Sequence, residues 1–323
     1  MKIDNEVKVL TLGVVLAGVY LSLGYPFFHL VIYGGKKKKE SETKKWGGLK
    51  QTRINHPRHG FEDEYNATRQ WCEAQKMQDV YIQSYDGLKL HGKYFPGKNP
   101  ERFILLSHGY RGTSFGSIAH LAEFLHENNC SLLFIDQRCC GESEGEYITF
   151  GAKEQYDILS WLKLIQKLNK EKMPVYLYGQ SMGASTVLLA SGHSLPKEVK
   201  GIISDCAFHS MKQQIRDMAA GWFHFHLVDL LLFRVDILCM LLAGFRMKAA
   251  DTTEALKKNK KPVLFIHGDK DTYVYPHNSE INYRLCRAPK ELVIIPEARH
   301  LCSSYVAPEL YKNKLMEFFE KYD

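Results

Sequence analysis

The run Val175-Tyr-Leu-Tyr-Gly179-Gln-Ser181-Met-Gly183-Ala-Ser-Thr-Val-Leu-Leu-Ala190 decides how the rest of this chain is read. Its first four residues are apolar without alternation, as suits a strand covered on both faces. Its last seven are small or aliphatic helix formers. Between them lies Gly-x-Ser-x-Gly, which spells a sharp strand-to-helix turn with the serine at its apex. Glycines at 179 and 183 let strand and helix close around that strained serine. The chain holds a second match, Gly141-Glu142-Ser143-Glu144-Gly145. No strand directly precedes it, and a glutamate on each side opposes an alkoxide or oxyanion. Ser181 is therefore the candidate nucleophile and Ser143 a loop serine.

Working outward, residues 80–84 and 88–95 flank Tyr85-Asp86-Gly87, which reads as a hairpin turn. Short apolar runs follow at 103–106, 131–135, 175–178, 201–204, 263–266 and 292–295. Helical stretches lie at 117–128, 152–170, 184–191 and 311–321, and an amphipathic lead-in helix is expected over 62–76, with Phe61, Tyr65, Trp71 and Cys72 as its apolar contacts. The alternation predicts an α/β fold: a mostly parallel, doubly wound sheet of about eight strands opened by an antiparallel hairpin. Residues 209–260 interrupt the rhythm with a Leu-rich, aromatic run. Asp229, Arg234 and Asp236 inside it argue against a membrane helix. An apolar cap over the strand ends is expected there, or a helix pair with no ligand role.

A serine hydroxyl needs a base, and the base an orienting acid. Asp271, in His267-Gly-Asp269-Lys-Asp271, lies far enough past its strand to turn back toward the serine. Asp269 sits nearer the turn, and Asp205, ending the preceding strand, is the third candidate. His300 follows the last strand and is the candidate base. His277 precedes that strand, and His224 and His226 belong to the insertion. The oxyanion requires two N–H donors. Met182, next after the nucleophile, supplies one through its backbone, and Tyr110, in Ser107-His108-Gly109-Tyr110-Arg111-Gly112, the other. His108 is expected to brace that loop. No Walker A loop and no G-x-G-x-x-G between strand and helix point to a cofactor, and no Cys/His cluster has zinc spacing.

The His-Gly-Tyr loop, Asp136-Gln-Arg-Cys-Cys-Gly-Glu-Ser-Glu-Gly, the Gly179 turn, His267-Gly-Asp-Lys-Asp and the late His300 recur in an order that resembles the α/β-hydrolase superfamily. Over about residues 78–320 the chain looks like bacterial membrane-anchored serine hydrolases of esterase, lysophospholipase-like or serine aminopeptidase-like type. Two positions depart from that pattern: Cys139-Cys140, where Gly/Ala-His is common, and Arg299, where small residues are. The triad implies acyl-ester hydrolysis through an acyl-enzyme, and the apolar cap with the membrane tether favours a lipid or medium-chain acyl ester as the small-molecule substrate. A peptidase or an acyltransferase on the same triad is the alternative, and a non-catalytic binding protein on this scaffold a more distant one.

Charge and composition sharpen the expectation. The net charge of +7 concentrates in residues 36–50, with seven lysines against two glutamates. The remaining body is close to neutral, which excludes a nucleic-acid footprint. The eight cysteines are scattered, as reduced buried thiols would be. No Asp, Glu, Lys or Arg occurs from Val9 to Tyr33. That tract is long enough for a single transmembrane helix, over about Val9 to Phe28, with a cleaved signal peptide as the competing reading. The lysines after it place the catalytic body on the cytoplasmic side near anionic lipid, with the extracytoplasmic side as the alternative. The expected organisation is an anchor at 1–35, a basic linker and lead-in helix at 36–77, and a hydrolase domain at 78–323 with its cap insertion at 209–260.

Overall fold

Each of the six short apolar runs between turn signals becomes a strand, because two faces of helices are available to cover it. The computed structural model describes residues 18, 20–35, 59–114, 118–222 and 228–323. Its strands are β1 (Gln78–Gln83), β2 (Lys89–Phe95), β3 (Arg102–Ser107), β4 (Cys130–Ile135), β5 (Val175–Gln180), β6 (Val199–Asp205), β7 (Val263–Gly268) and β8 (Lys290–Ile295). They form one eight-stranded sheet in the order β1-β2-β4-β3-β5-β6-β7-β8. The β1–β2 and β2–β4 pairs are antiparallel and the other pairs parallel. Gly87, at φ +90°, makes the turn of the opening hairpin.

The helices are α1 (Tyr25–Val31), α2 (Glu62–Ala74), α3 (Ala122–Glu127), α4 (Glu154–Leu168), α5 (Met182–Ala190), α6 (Met211–Trp222), α7 (Val228–Leu238), α8 (Thr253–Lys258), α9 (His277–Leu285), α10 (Ser303–Val306) and α11 (Pro308–Tyr322). Successive strand residues point to opposite faces, so each strand divides its side chains between two cores. Ile104, Leu106, Tyr176, Tyr178, Leu264 and Ile266 pack with Leu315, Phe318 and Phe319 of α11. Phe103, Leu105, Leu177, Val263 and Phe265 pack with Ile158 and Trp161 of α4 and Val187 and Leu188 of α5. The sheet is doubly wound.

A third apolar cluster lies over the Ser181 turn. It joins Met182 to Phe208, Met211 and Ile215, to Leu232, Val235 and Leu238 of α7, and to Phe28 and Ile32 of the N-terminal segment. The charges that argued against a membrane helix are paired here: Asp229 with Arg216, Asp236 with Arg246 at 2.8 Å, and Arg234 over the Tyr20 ring at 4.2 Å.

This layer corrects the expectation of an N-terminal transmembrane helix. Among the described residues no helix is long and apolar enough to cross a membrane. Residues 9–17 and 19 of the expected span lie outside the described residues, as does the lysine-rich run 36–50. The part that is described, 20–35, covers the α/β body. Phe28 and Ile32 are buried, Ile148 N–H donates to Ile32 O at 2.9 Å, and Gly34 N–H donates to Glu146 O at 2.9 Å. Arg111 Nη2 donates to the carbonyls of Leu30 (2.8 Å) and Tyr33 (3.0 Å), and the Tyr110 hydroxyl to that of Val31 (2.7 Å). These donors satisfy carbonyls that the end of α1 leaves without partners. A charge-free tract is required equally by a lipid core and by a protein core.

Burying Phe28 contributes on the order of 2 kcal/mol. Phe28→Ala is expected to lower stability by about 3 kcal/mol. Leu23→Ala, at a side chain 64% exposed, should stay within about 0.5 kcal/mol. Denaturant midpoints of the two variants measure the difference, and equal midpoints would contradict the packing role of α1.

Candidate active site

Ser181 stands between β5 and α5 at φ +55° and ψ −120°, a conformation costly for any side-chain-bearing residue. Its surroundings hold it there. The Ser181 N–H donates to Asp205 O at 2.8 Å. A Cβ on Gly183 would stand 2.1 Å from Ser107 O, and one on Gly179 would stand 2.3 Å from Gly183 O. Only glycine lets β3, β5 and α5 approach so closely at this corner.

His300, in the loop after β8, places Nε2 3.0 Å from Ser181 Oγ. Its Nδ1 lies 2.6 Å from Asp271 Oδ2. An ionised carboxylate only accepts, so Nδ1 carries the proton and Nε2 is left to accept from the serine hydroxyl. Asp271 is itself fixed: Oδ1 accepts the backbone N–H groups of Tyr273 and Val274, each at 2.9 Å, and Oδ2 lies 3.2 Å from His267 Nε2. Burial opposes its charge, but the His300 and His267 imidazoles hold the carboxyl well below the usual carboxylate range. The Tyr273 ring packs on His300, centroids 4.9 Å apart. The structure thus brings Ser181, His300 and Asp271 into one hydrogen-bonded line, each nearly excluded from solvent.

The other candidates stand elsewhere. Asp269 is a surface residue with Lys270 at 3.6 Å. Asp205 Oδ2 accepts from Tyr311 (3.0 Å), Gln180 (3.1 Å) and Tyr178 (3.2 Å), on the α11 side of the sheet. His277 is half-exposed, 3.9 Å from Asp217. His224 and His226 lie outside the described residues. Ser143 Oγ donates to Asp136 O at 2.6 Å and accepts His91 N–H at 2.9 Å, a hydroxyl used to hold its loop. Arg299 turns away from the serine and donates to the His59 carbonyl.

Met182 is the first residue of α5, so its N–H has no acceptor within the helix. Gly109, the residue before Tyr110, passes so closely that a Cβ there would stand 3.8 Å from Ser181 Oγ. His108 Nε2 accepts Gln137 N–H at 3.0 Å, and Gln137 donates back to the His108 carbonyl. Burial lowers the His108 pKa, in keeping with a neutral, bracing imidazole.

Residues 98–238 match the family model described as serine aminopeptidase, S33. The chain is 24% identical over 260 residues to the α/β hydrolase domain-containing protein WAV2 of Arabidopsis thaliana, covering 76% of this chain and 79% of that one. It superposes on an esterase of Pyrococcus furiosus with a TM-score of 0.63, at 22% identity over 76% of this chain and 91% of that one. The chain belongs to the α/β-hydrolase superfamily. A further relative of this α/β-hydrolase is YqkD of Bacillus subtilis, 25% identical over 311 residues and 96% of each chain. That alignment takes in most of the N-terminal segment as well as the hydrolase body.

Three features of this α/β-hydrolase were not read from the sequence. His267 braces Asp271, although it lies in the quoted His-Gly-Asp-Lys-Asp motif and its place at the end of β7 was the available signal. Gln137 locks His108. Arg111 ties α1 to the loop beside Ser181.

Proposed function

We propose that this α/β-hydrolase is a serine hydrolase of carboxylic esters that works through an acyl-enzyme. Ser181 Oγ attacks the ester carbonyl while His300 Nε2 takes its proton, and Asp271 stabilises the imidazolium that forms. The N–H groups of Met182 and Tyr110 receive the developing oxyanion. His300 then gives its proton to the departing alkoxide, and a water it deprotonates releases the acid. The observation that carries this reading is the line of two short hydrogen bonds through His300, ending on a serine held at positive φ.

The apolar cluster over the serine, with Phe150, Phe208 and Met211 among its members, supports a medium-chain or lipid acyl group. With nitrophenyl esters from acetate to decanoate, kcat/KM should rise at least about tenfold by octanoate, since each buried methylene contributes about 0.8 kcal/mol. A flat profile would count against the acyl-chain assignment. The description of the matching family model favours a second reading, peptide-bond cleavage. An aminoacyl arylamide turned over faster than any ester in the panel would establish that reading instead.

A further inference from the structure

We propose that Cys206, His300 and Asp271 form a soft-metal site that takes a zinc ion and switches the hydrolase off. Cys206 follows β6 directly, at φ +50°, and its backbone N–H donates to Ile266 O at 2.9 Å. One ligand atom from each of the three side chains lies within 4.8 Å of the others, and among the described residues this is the one such cluster of His, Cys, Asp and Glu. All three are buried. Cys206 has no part in the line from Ser181 to Asp271, so its thiol is a buried nucleophilic group that the proposed reaction leaves unused.

The chemistry of the set selects the metal. One sulfur, one imidazole nitrogen and one carboxylate oxygen suit zinc far better than magnesium or calcium, which take oxygen ligands. Tetrahedral zinc holds such ligands about 3.5 Å apart, so His300 Nδ1 and Asp271 Oδ2, now 2.6 Å apart, must open by about 1 Å while the Cys206 sulfur closes on them by a similar amount. The charges also balance: a thiolate and a carboxylate neutralise the dication, and a buried site of zero net charge avoids most of the desolvation penalty. A metal-free cysteine thiol carries its proton at neutral pH, so binding must displace it.

The inhibition follows from the proton count. The thiol releases one proton to solvent as the sulfur–zinc bond forms. His300 binds through Nδ1, the nitrogen facing Asp271, so the proton held there moves to Nε2. That nitrogen then presents N–H to Ser181 Oγ and accepts nothing. Metal-bound and catalytic states exclude each other, and the switch reverses when zinc leaves. The inference rests on the reading of His300 as the base, and its test separates the two.

Fluorophosphonate labelling of the full chain should be blocked by micromolar zinc, restored by EDTA, and indifferent to equal magnesium. Cys206→Ala and Cys206→Ser should label without metal and need at least about tenfold more zinc for the same block. Binding is read independently with cobalt(II). A thiolate-to-cobalt absorption band should appear in wild type and in Ser181→Ala, and be missing from both Cys206 variants. Wild type that labels normally but shows no zinc block or no band would overturn the site, as would equal zinc sensitivity or a persistent band in the Cys206 variants. Failure to label without any metal would instead contradict the Ser181 reading and leave the cobalt band to decide the site.

Discussion

Ser181→Ala is expected to lower kcat on the best ester by about a million-fold, the loss found when the nucleophile of a serine triad is removed. The alanine variant keeps the turn, because its backbone bond to Asp205 O and the close approach at Gly179 and Gly183 involve no serine oxygen. It also keeps His300 on Asp271. Only the atom proposed to form the covalent bond is missing, so KM should change little while kcat collapses. The measurement is a burst and steady-state assay on a nitrophenyl ester, with circular dichroism to check the fold. Activity within about a hundredfold of wild type would mean that another group attacks.

Asp271→Asn should cost about ten-thousand-fold in kcat. The amide replaces an oxygen that accepts from His300 Nδ1 at 2.6 Å. With an NH2 group donating there, the imidazole shifts its proton to Nε2 and can no longer accept from Ser181. The same change carries a stability signature. The folded Asp271 pKa is depressed, so the stability it contributes is complete above the ordinary carboxylate range and is lost as pH falls through the depressed value. Unfolding free energies should therefore decline less steeply below about pH 4 in the asparagine variant than in wild type. Parallel acid limbs would show that the carboxylate is not held in its charged form.

How much of this was legible follows from what each residue answers to. The eight strands were readable because continuous Val, Ile, Leu and aromatic runs between turn signals have few other homes, and the sheet places them within a few residues of their expected bounds. Helix α9 was not read. Its buried side chains are Asn278, Ser279 and Asn282, which bury for hydrogen bonds rather than for apolar contact and so leave no hydrophobic period. Asn278 Oδ1 accepts His209 N–H at 3.2 Å, and Asn282 Oδ1 accepts from Thr252 at 2.6 Å, fixing both roots of the chain between β6 and β7.

The N-terminal tract was misread for the opposite reason. Hydropathy reports that residues 20–33 avoid water without saying what covers them, and here Phe28 and Ile32 are covered by α7 and by Ile148 and Phe150. In the candidate site, chain order picked out Ser181, Asp271 and His300, and the folded loops draw them into one line of hydrogen bonds. Chain order did not reveal that His267 would approach the same Asp271 oxygen as His300, because two imidazoles sharing one carboxylate is a matter of loop geometry rather than spacing.

The most direct test of the central claim is to react the full chain with a fluorophosphonate and locate the adduct by peptide mass. The account predicts one adduct per chain, on Ser181, formed rapidly in wild type and slowed severely in His300→Ala. An adduct on any other residue, or wild type that stays unmodified while folded, would contradict it.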